Sequence, residues 1–295
     1  MKTFPYFTCI VGLWLTSLAA PADGLKIVAA ENFYGGVAQQ IAGNGAAVTS
    51  ILTNPNQDPH EFTTNASTAK EVADADIVIY NGINYDPWMD KLLATKGKPG
   101  RVVIKVSDLI GAKEGDNPHI WYDVKTMMAL ADKVMDSLWK VQAKPDKADS
   151  LSFLHREEDF INSVEPVLEK IQAIRSKYEG TPVTATEPVF GYMAQALGFK
   201  MLNYDFQIKI MNDAEPTADQ TAAFEKSLTS KQAKILFYNS QVSDPTTDRI
   251  QKMARKSGIP VVGVTEMQPP DQKSYVGWML HELDGVQAAL GAKSQ

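Results

Sequence analysis

Cysteine is almost absent from this chain: among its 295 residues there is one, Cys9. It lies in the apolar segment at the start of the chain and lacks the leucine and small residues that precede a lipid-modified cysteine. A mature chain without Cys9 would hold no thiol. That excludes disulfides, thiolate metal ligands and cysteine nucleophiles.

Clusters of basic residues are missing as well. The chain has 29 Lys and Arg against 35 Asp and Glu, a net charge of −6, and no run of basic residues interleaved with aromatic ones. A nucleic-acid-binding surface needs such a positive patch. We therefore expect no nucleic-acid partner.

The first 22 residues have the order of a secretory signal. Lys2 precedes an apolar run from Phe4 to Leu18, and an Ala-Pro-Ala triplet ending at Ala22 supplies the small residues of a cleavage site. The apolar run is too short to span a bilayer comfortably, which argues against a membrane anchor. We expect an exported, periplasmic protein that is cut after Ala22.

Short β-branched apolar runs, each followed by a helical pattern, recur in both halves of the chain. The predicted strands are residues 25–30, 47–53, 76–82 and 101–108, then 181–187, 200–206, 233–240 and 260–266. Strands that are apolar throughout are buried on both faces, as in parallel sheets covered by helices. The sequence thus predicts an α/β fold of two similar lobes.

A sustained helical pattern without a strand separates the two sets of strands. We predict a signal peptide at 1–22, an N-terminal lobe at 23–143, a linking helix at 144–179 and a C-terminal lobe at 180–295. Pro166 should bend the linking helix near its middle, because proline cannot donate a helical hydrogen bond.

Two of only four histidines directly follow a proline, and both, His60 and His119, come shortly after a predicted strand. Glu187 and Glu266 stand at the ends of predicted strands in the second half. Ligands of open parallel sheets bind at the carboxyl ends of the strands, so these four side chains should meet in the cleft between the lobes. The prolines fix the backbone and lower the entropic cost of holding each histidine.

Two imidazoles and two carboxylates suit a divalent transition metal. Each residue also fits a simpler interpretation: a histidine in a loop is often only solvated, and Glu187 before a proline fits a helix N-cap. Glu266 fits an exposed acid at a strand end, and Asp271 competes with it as a ligand. The joint placement of four groups favours the metal site.

The sequence resembles the solute-binding proteins of bacterial ABC importers for manganese and zinc. The likeness covers nearly the whole mature chain and rests on "DPHEF", "NPHIWYD", "TEPVFGYMAQALGF" and "GIPVVGVTE" followed by "SYVGWMLHELD". It implies two α/β lobes joined by one rigid helix, with a single Mn²⁺ or Zn²⁺ bound between them as the transported ligand. The expected partner is an ABC permease at the cytoplasmic membrane, and we expect a monomer without enzymatic activity.

The resemblance also implies the ligands His60, His119, Glu187 and Glu266. Glutamate at the third position matches the manganese-type members, since zinc receptors commonly have histidine there. The fourth ligand of the family is usually aspartate, so Glu266 is a departure and Asp271 remains an alternative. Many zinc receptors also carry a long His-rich loop before the second histidine, where this chain has only "GAKEGDN". Glutamate at position 187 and the lack of a His-rich loop both favour manganese, or a receptor that accepts several metals.

Two other functions compete with metal transport. An exported metal-dependent hydrolase would need an open coordination position and a general base, and the chain has neither an HExxH nor a nucleophile-elbow motif. A receptor for an organic solute would need a larger cleft lined by aromatic residues, for which Trp88 and Trp121 are the candidates.

Overall fold

A computed structural model describes residues 24–142, 147–212, 214–242 and 245–291. The predicted signal peptide at 1–22 lies outside the described residues. Within these ranges, no helix has the length and apolar character needed to cross a bilayer.

The N-terminal lobe carries a parallel sheet in the strand order β2-β1-β3-β4. Its elements are β1 (Leu25–Glu31), α1 (Asn32–Ala42), β2 (Ala46–Leu52), α2 (Ala66–Asp74), β3 (Ile77–Tyr80), α3 (Pro87–Leu93), β4 (Val102–Lys105), α4 (Val106–Leu109) and α5 (Val124–Val141). All four residues of β3 are buried, as expected for a strand covered on both faces. The predicted strand at 101–108 ends early, because its last residues form α4.

The C-terminal lobe repeats the arrangement with the strand order β6-β5-β7-β8, again parallel throughout. Its elements are β5 (Pro182–Ala185), α8 (Gly191–Ala196), β6 (Lys200–Met201), α9 (Tyr204–Met211), α10 (Ala218–Thr229), β7 (Leu236–Asn239), α11 (Pro245–Lys256), β8 (Val261–Val264) and α12 (Tyr275–Gly291). The prediction of two similar α/β lobes is confirmed.

The strand predicted at 200–206 is wrong for most of its length. The backbone at Asn203 turns into the left-handed region, with φ of 57°, and α9 begins at the next residue. Asparagine tolerates this conformation better than most residues do. The strand therefore stops after two residues, and the apolar side chains that follow belong to a helix.

The linking segment is a long joining helix interrupted at Val164, which separates α6 (Lys147–Ser163) from α7 (Glu165–Tyr178). Pro166 occupies the first turn of α7. Because proline has no backbone N–H, it cannot donate the helical hydrogen bond that would continue α6 into α7. Val164, Ile171 and Ile174 are buried against the core. The segment predicted as one linking helix with a bend at Pro166 is thus two helices, with the interruption two residues before that proline.

One buried apolar cluster extends through both lobes. Phe33 of the first lobe lies 4.6 Å from Trp121 and 5.8 Å from Trp278 of the second, measured between ring centroids. Tyr122 lies 5.2 Å from Phe190. The lobes are therefore joined by a shared aromatic core as well as by the linking helix.

Two tyrosine hydroxyls close this interface with hydrogen bonds between the lobes. Tyr122 donates to the carbonyl of Thr265 at 2.7 Å, and Tyr275 donates to the carbonyl of Trp121 at 2.9 Å. Because these contacts hold the loops around residues 121 and 265 side by side, they position the strand ends from which the candidate ligands come.

Candidate metal centre

Both Pro-His steps are closed by the residue that precedes the proline. Asp58 Oδ1 accepts a hydrogen bond from the backbone amide of His60 at 2.8 Å, and Asn117 Oδ1 accepts one from the amide of His119 at 3.1 Å. The two histidines thus follow the same tight turn, in which a side chain replaces a backbone acceptor. The prolines alone did not reveal the part that Asp58 and Asn117 play in these turns. The signal was an Asp or Asn two positions before each histidine.

The two imidazole rings are oriented alike. His60 Nδ1 lies 3.1 Å from the carbonyl oxygen of Asn84, and His119 Nδ1 lies 2.7 Å from Asn117 Oδ1. An oxygen acceptor at Nδ1 requires a hydrogen there, so in the neutral ring the lone pair is on Nε2. Each histidine therefore presents Nε2 for coordination.

Both Nε2 atoms face Glu266 of the second lobe. Its Oε1 lies 4.0 Å from His60 Nε2 and 3.6 Å from His119 Nε2. Oε2 accepts from Asn239 Nδ2 at 2.8 Å, while Oε1 is buried without a donor among the described residues. Two imidazole nitrogens therefore lie close to one carboxylate oxygen with no hydrogen placed between them, an arrangement that a cation would stabilise.

The protonation states suit this role. Burial lowers the pKa of His119, and the opposing effect of Glu266 is smaller. Burial would raise the pKa of Glu266, but its contacts with His119 and His60 outweigh burial and leave that pKa below its usual value. A neutral imidazole and an ionised carboxylate are the forms that bind metal.

Aromatic rings enclose the histidines on the first-lobe side. The ring of Tyr85 lies 5.0 Å from that of His60 and 6.0 Å from that of His119, and Trp121 lies 5.2 Å from His119. Burial, followed by the charge of Glu266, raises the pKa of Tyr85 well above its usual value. Low polarity around the site strengthens the electrostatic attraction of a cation to its ligands.

Trp88 and Trp121, the candidate lining residues of an organic-solute cleft, are buried in the protein instead. Trp88 is 4% exposed and donates from Nε1 to the carbonyl of Pro59 at 3.0 Å, while Trp121 is fully buried. The cavity beside Glu266 has a volume of about 70 Å³, and Asp58 and Pro59 are among its lining residues. That space accommodates an ion with a few waters but is far below the ~300 Å³ of a small organic-ligand pocket.

The loop after β3 is strained where it meets His60. Its backbone has positive φ at Gly82 (80°), Ile83 (44°) and Asn84 (61°). Asp86 holds the loop by accepting from the amide of Gly82 at 2.8 Å. Positive φ is unusual for a β-branched residue such as Ile83, and such strain clusters at functional sites. Here it delivers the Asn84 carbonyl to His60.

A buried pair of acids, Glu31 and Asp86, lies behind Tyr85. Glu31 is fully buried at the end of β1, and neither carboxylate oxygen has a donor in the described part of the chain. Burial, reinforced by Asp86, raises the pKa of Glu31 well above its usual value, and burial raises the pKa of Asp86 to about 7. The strand-end rule that selected Glu187 and Glu266 would also have selected Glu31.

Glu187 borders a second cavity. It follows β5 in extended conformation, its side chain makes no capping bond to the short helix at 188–190, and it is half-buried. The cavity has a volume of about 620 Å³ and is also lined by Val242 and Arg249. Val242 lines the smaller cavity at Glu266 too.

The four predicted ligands are thus positioned to different degrees. His60 and His119 each lie within 4.0 Å of Glu266, and Glu187 lines the adjoining cavity. Across the described ranges, no three His, Asp or Glu side chains are close enough to hold a metal as they stand. Asp271 is exposed, and its carboxylate accepts from the Gln272 side chain at 3.5 Å.

Known proteins share both the fold and the sequence pattern. A family model described as zinc-uptake complex component A, periplasmic (ZnuA), matches residues 27–289. The manganese-binding lipoprotein MntA of Halalkalibacterium halodurans is 24% identical over 287 residues, covering 93% of this chain and 91% of the relative. The zinc-binding protein TroA of Treponema pallidum is 25% identical over 260 residues, covering 81% and 80%.

Solved structures agree in fold. The periplasmic zinc-binding protein TroA of Treponema pallidum superposes with a TM-score of 0.73 at 20% identity, covering 91% of this chain and all of that one (100%). The Mn-bound periplasmic metal-binding protein of Candidatus Liberibacter asiaticus gives 0.71 at 22% identity, covering 90% and 99%. The family match extends over nearly all the described residues, and the chain therefore belongs to the ZnuA family of non-enzymatic, metal-binding proteins of manganese and zinc ABC uptake systems.

Proposed function

We propose that this chain, as the substrate-binding protein of a manganese or zinc ABC uptake system, captures one divalent transition metal between its lobes. The observation that carries the proposal is the convergence of two imidazole Nε2 atoms on one buried carboxylate oxygen for which the described residues supply no donor. Because the histidines come from the first lobe and the carboxylate from the second, one ion would bind both lobes at once.

The proposed ligand set is His60, His119, Glu187 and Glu266. Glu266 is preferred to Asp271 because it already faces both histidines, whereas Asp271 lies on the exposed surface. Glu187 would join from the adjoining cavity, which shares the wall at Val242 with the cavity beside Glu266. That step requires the wall or the Glu187 side chain to move when the ion enters.

The cargo in this proposal is Mn²⁺ or Zn²⁺, with a preference for manganese. Two carboxylates supply hard oxygen donors, which manganese uses well, and two imidazoles also satisfy zinc. Relatives with names of both kinds, manganese-binding and zinc-binding, match this chain over most of its length.

The family belongs to ABC importers, so the proposed partner is the permease of such an importer at the cytoplasmic membrane. We further propose that the chain acts as a monomer in the periplasm after cleavage near Ala22. Several relatives carry names that describe lipoproteins. A mature N-terminus at residue 23 without a lipid, measured by mass spectrometry on exported protein, would separate the two modes of export.

Native mass spectrometry of untagged protein tests the main proposal. One bound manganese or zinc ion per chain is expected, and a bound organic molecule or no metal would overturn it. At roughly 100 times the dissociation constant, metal should stabilise the protein by about 2.7 kcal/mol, because it binds the folded state alone. A melting temperature unaffected by chelator would also contradict the proposal.

A further inference from the structure

Asn117 makes contacts with both lobes through one side chain. Its Oδ1 lies 2.7 Å from His119 Nδ1 and accepts from the His119 amide at 3.1 Å. Its Nδ2 donates to the carbonyl of Pro188 in the second lobe at 2.7 Å. Pro188 is the neighbour of Glu187, so a single amide group connects one proposed ligand to the backbone beside another.

The partners of this amide fix its orientation. The Pro188 carbonyl can only accept a hydrogen bond, which places Nδ2 against it, and the His119 amide can only donate, which places Oδ1 there. Oδ1 is then an acceptor for His119 Nδ1–H as well. The ring is thereby held in the tautomer whose Nε2 lone pair faces Glu266.

The second lobe is shaped to receive Asn117. A Cβ at Gly191 would lie 2.7 Å from Asn117 Nδ2, closer than such contacts allow, so the residue at 191 must be small. Tyr192 donates from its hydroxyl to the Asn117 backbone carbonyl at 2.9 Å. The segment that follows Glu187 therefore accommodates Asn117 in three ways: through the Pro188 carbonyl, through the space left at Gly191 and through the Tyr192 hydroxyl.

The equivalent position before His60 shows why an amide matters here. Asp58 accepts from the His60 amide as Asn117 does for His119, but the His60 ring bonds to the Asn84 carbonyl instead. The side chain at position 58 therefore has to supply only a hydrogen-bond acceptor. Asn117 needs an acceptor and a donor on the same group, and among side chains of this size only asparagine supplies both in a fixed plane.

We propose that Asn117 is a positioning residue that sets the His119 tautomer and ties that ring to the second lobe beside Glu187, holding ligands of both lobes in register before the ion arrives. This inference rests on the proposed function for its effect on affinity. Groups behind a ligating histidine commonly change metal affinity by about 10–100-fold when removed.

Asn117→Ala and Asn117→Asp separate the two tasks. Alanine removes both, whereas aspartate keeps the acceptor for His119 and loses the donor to Pro188. In metal-free protein, ¹⁵N chemical shifts of the histidine rings should show the Nδ1–H tautomer of His119 in the original chain and in Asn117→Asp. Asn117→Ala should show a mixture. The His119 signals are assigned by their loss in His119→Ala.

Metal affinity should fall by about 10–100-fold in Asn117→Ala and by less in Asn117→Asp. Gly191→Ala, which crowds Nδ2 without touching His119, should behave like Asn117→Asp: the tautomer is kept and metal dissociates several-fold faster. Tyr192→Phe is the matched control, because it removes a contact to the Asn117 backbone and leaves the side-chain amide in place. It should keep the original tautomer.

An unchanged tautomer in Asn117→Ala, with affinity within twofold of the original, would overturn the inference. A Tyr192→Phe variant that shifts the tautomer as much as Asn117→Ala would also overturn it, since backbone packing would then orient the ring. The tautomer is measured on metal-free protein, so this test of Asn117 does not depend on metal binding. A chain that bound no metal would refute the proposed function but would leave the tautomer result valid.

Discussion

His119 Nε2 and Glu266 Oε1 face each other across the boundary between the lobes at 3.6 Å. The distance is longer than a hydrogen bond, and among the described residues no donor reaches the buried Oε1 atom. A cation between a neutral imidazole and a carboxylate would stabilise both atoms, and this pair is therefore the centre of the predictions below.

Replacing either first-lobe histidine should weaken metal binding. His60→Ala and His119→Ala each remove one nitrogen ligand, and affinity should fall at least 10-fold, about 1.4 kcal/mol. Calorimetric titration with manganese and zinc measures this. His155→Ala is the matched control, because His155 is exposed on α6, away from the cleft. Equal affinities in all three variants would remove both histidines from the site.

Glu266→Gln and Asp271→Asn decide which acid is the fourth ligand. Each substitution removes one charge with almost no change in shape. Glu266 faces both histidines and Asp271 is exposed, so only Glu266→Gln should weaken binding, by about 10-fold or more. The opposite result in the same titration would assign the role to Asp271.

Glu187→His should change metal preference. It exchanges a hard oxygen donor for a nitrogen, which zinc tolerates better than manganese does. The ratio of zinc to manganese affinity should rise about 10-fold, or about 1.4 kcal/mol, in competition binding with both ions in one buffer. A ratio that stays constant while both affinities hold would show that Glu187 does not touch the ion, and a ratio that falls would refute this account of selectivity.

The buried acids Glu31 and Asp86 predict how stability depends on pH. The pKa of Asp86 is raised to about 7 by burial, so the folded state holds a proton that the unfolded state releases near pH 4. The stability from this proton is complete below about pH 4 and is lost as pH rises through about 7. Taken alone, Asp86 should make the chain less stable at pH 8 than at pH 5, whereas the lowered pKa of the buried His119 acts in the opposite direction.

Glu31→Gln tests this pair directly. The glutamine amide can donate to Asp86 without a proton, so the loss of stability between pH 5 and pH 8 should shrink by an amount on the order of 1 kcal/mol. Urea unfolding in the presence of chelator measures it. Glu169→Gln, at an exposed position on α7, should leave the original slope. A slope equally steep in Glu31→Gln would show that Glu31 takes no part in this pH dependence.

The periodicity of apolar residues was sufficient to predict the two lobes, because buried parallel strands form continuous β-branched runs. The failure at 200–206 has a local cause: Asn203 adopts a left-handed backbone, and no run of side chains reveals that conformation. The sequence was also sufficient to predict that His60 and His119 follow strands, and parallel strands place those two loops at the same edge of the sheet.

The remaining features of the site depend on where side chains point and on contacts between residues far apart in the sequence. The strand-end rule places Glu187 at the correct edge but does not say that its side chain lines the adjoining cavity. The amide of Asn117 was overlooked because its second partner, Pro188, is distant in sequence and is reached only when the lobes pack together. Glu31 was overlooked because its partner Asp86 comes from a loop after another strand.

The aromatic core that runs from Phe33 through Trp121 to Trp278 bears on how the molecule unfolds. Separating the lobes would expose these large rings to water, at a cost of about 25 cal/mol for each Å² of apolar surface. Neither lobe is then an autonomous cooperative unit, and the whole chain should melt in one calorimetric transition. If metal binds between the lobes as proposed, we expect its release to require a local rearrangement at the rim of the cleft, with this aromatic core intact.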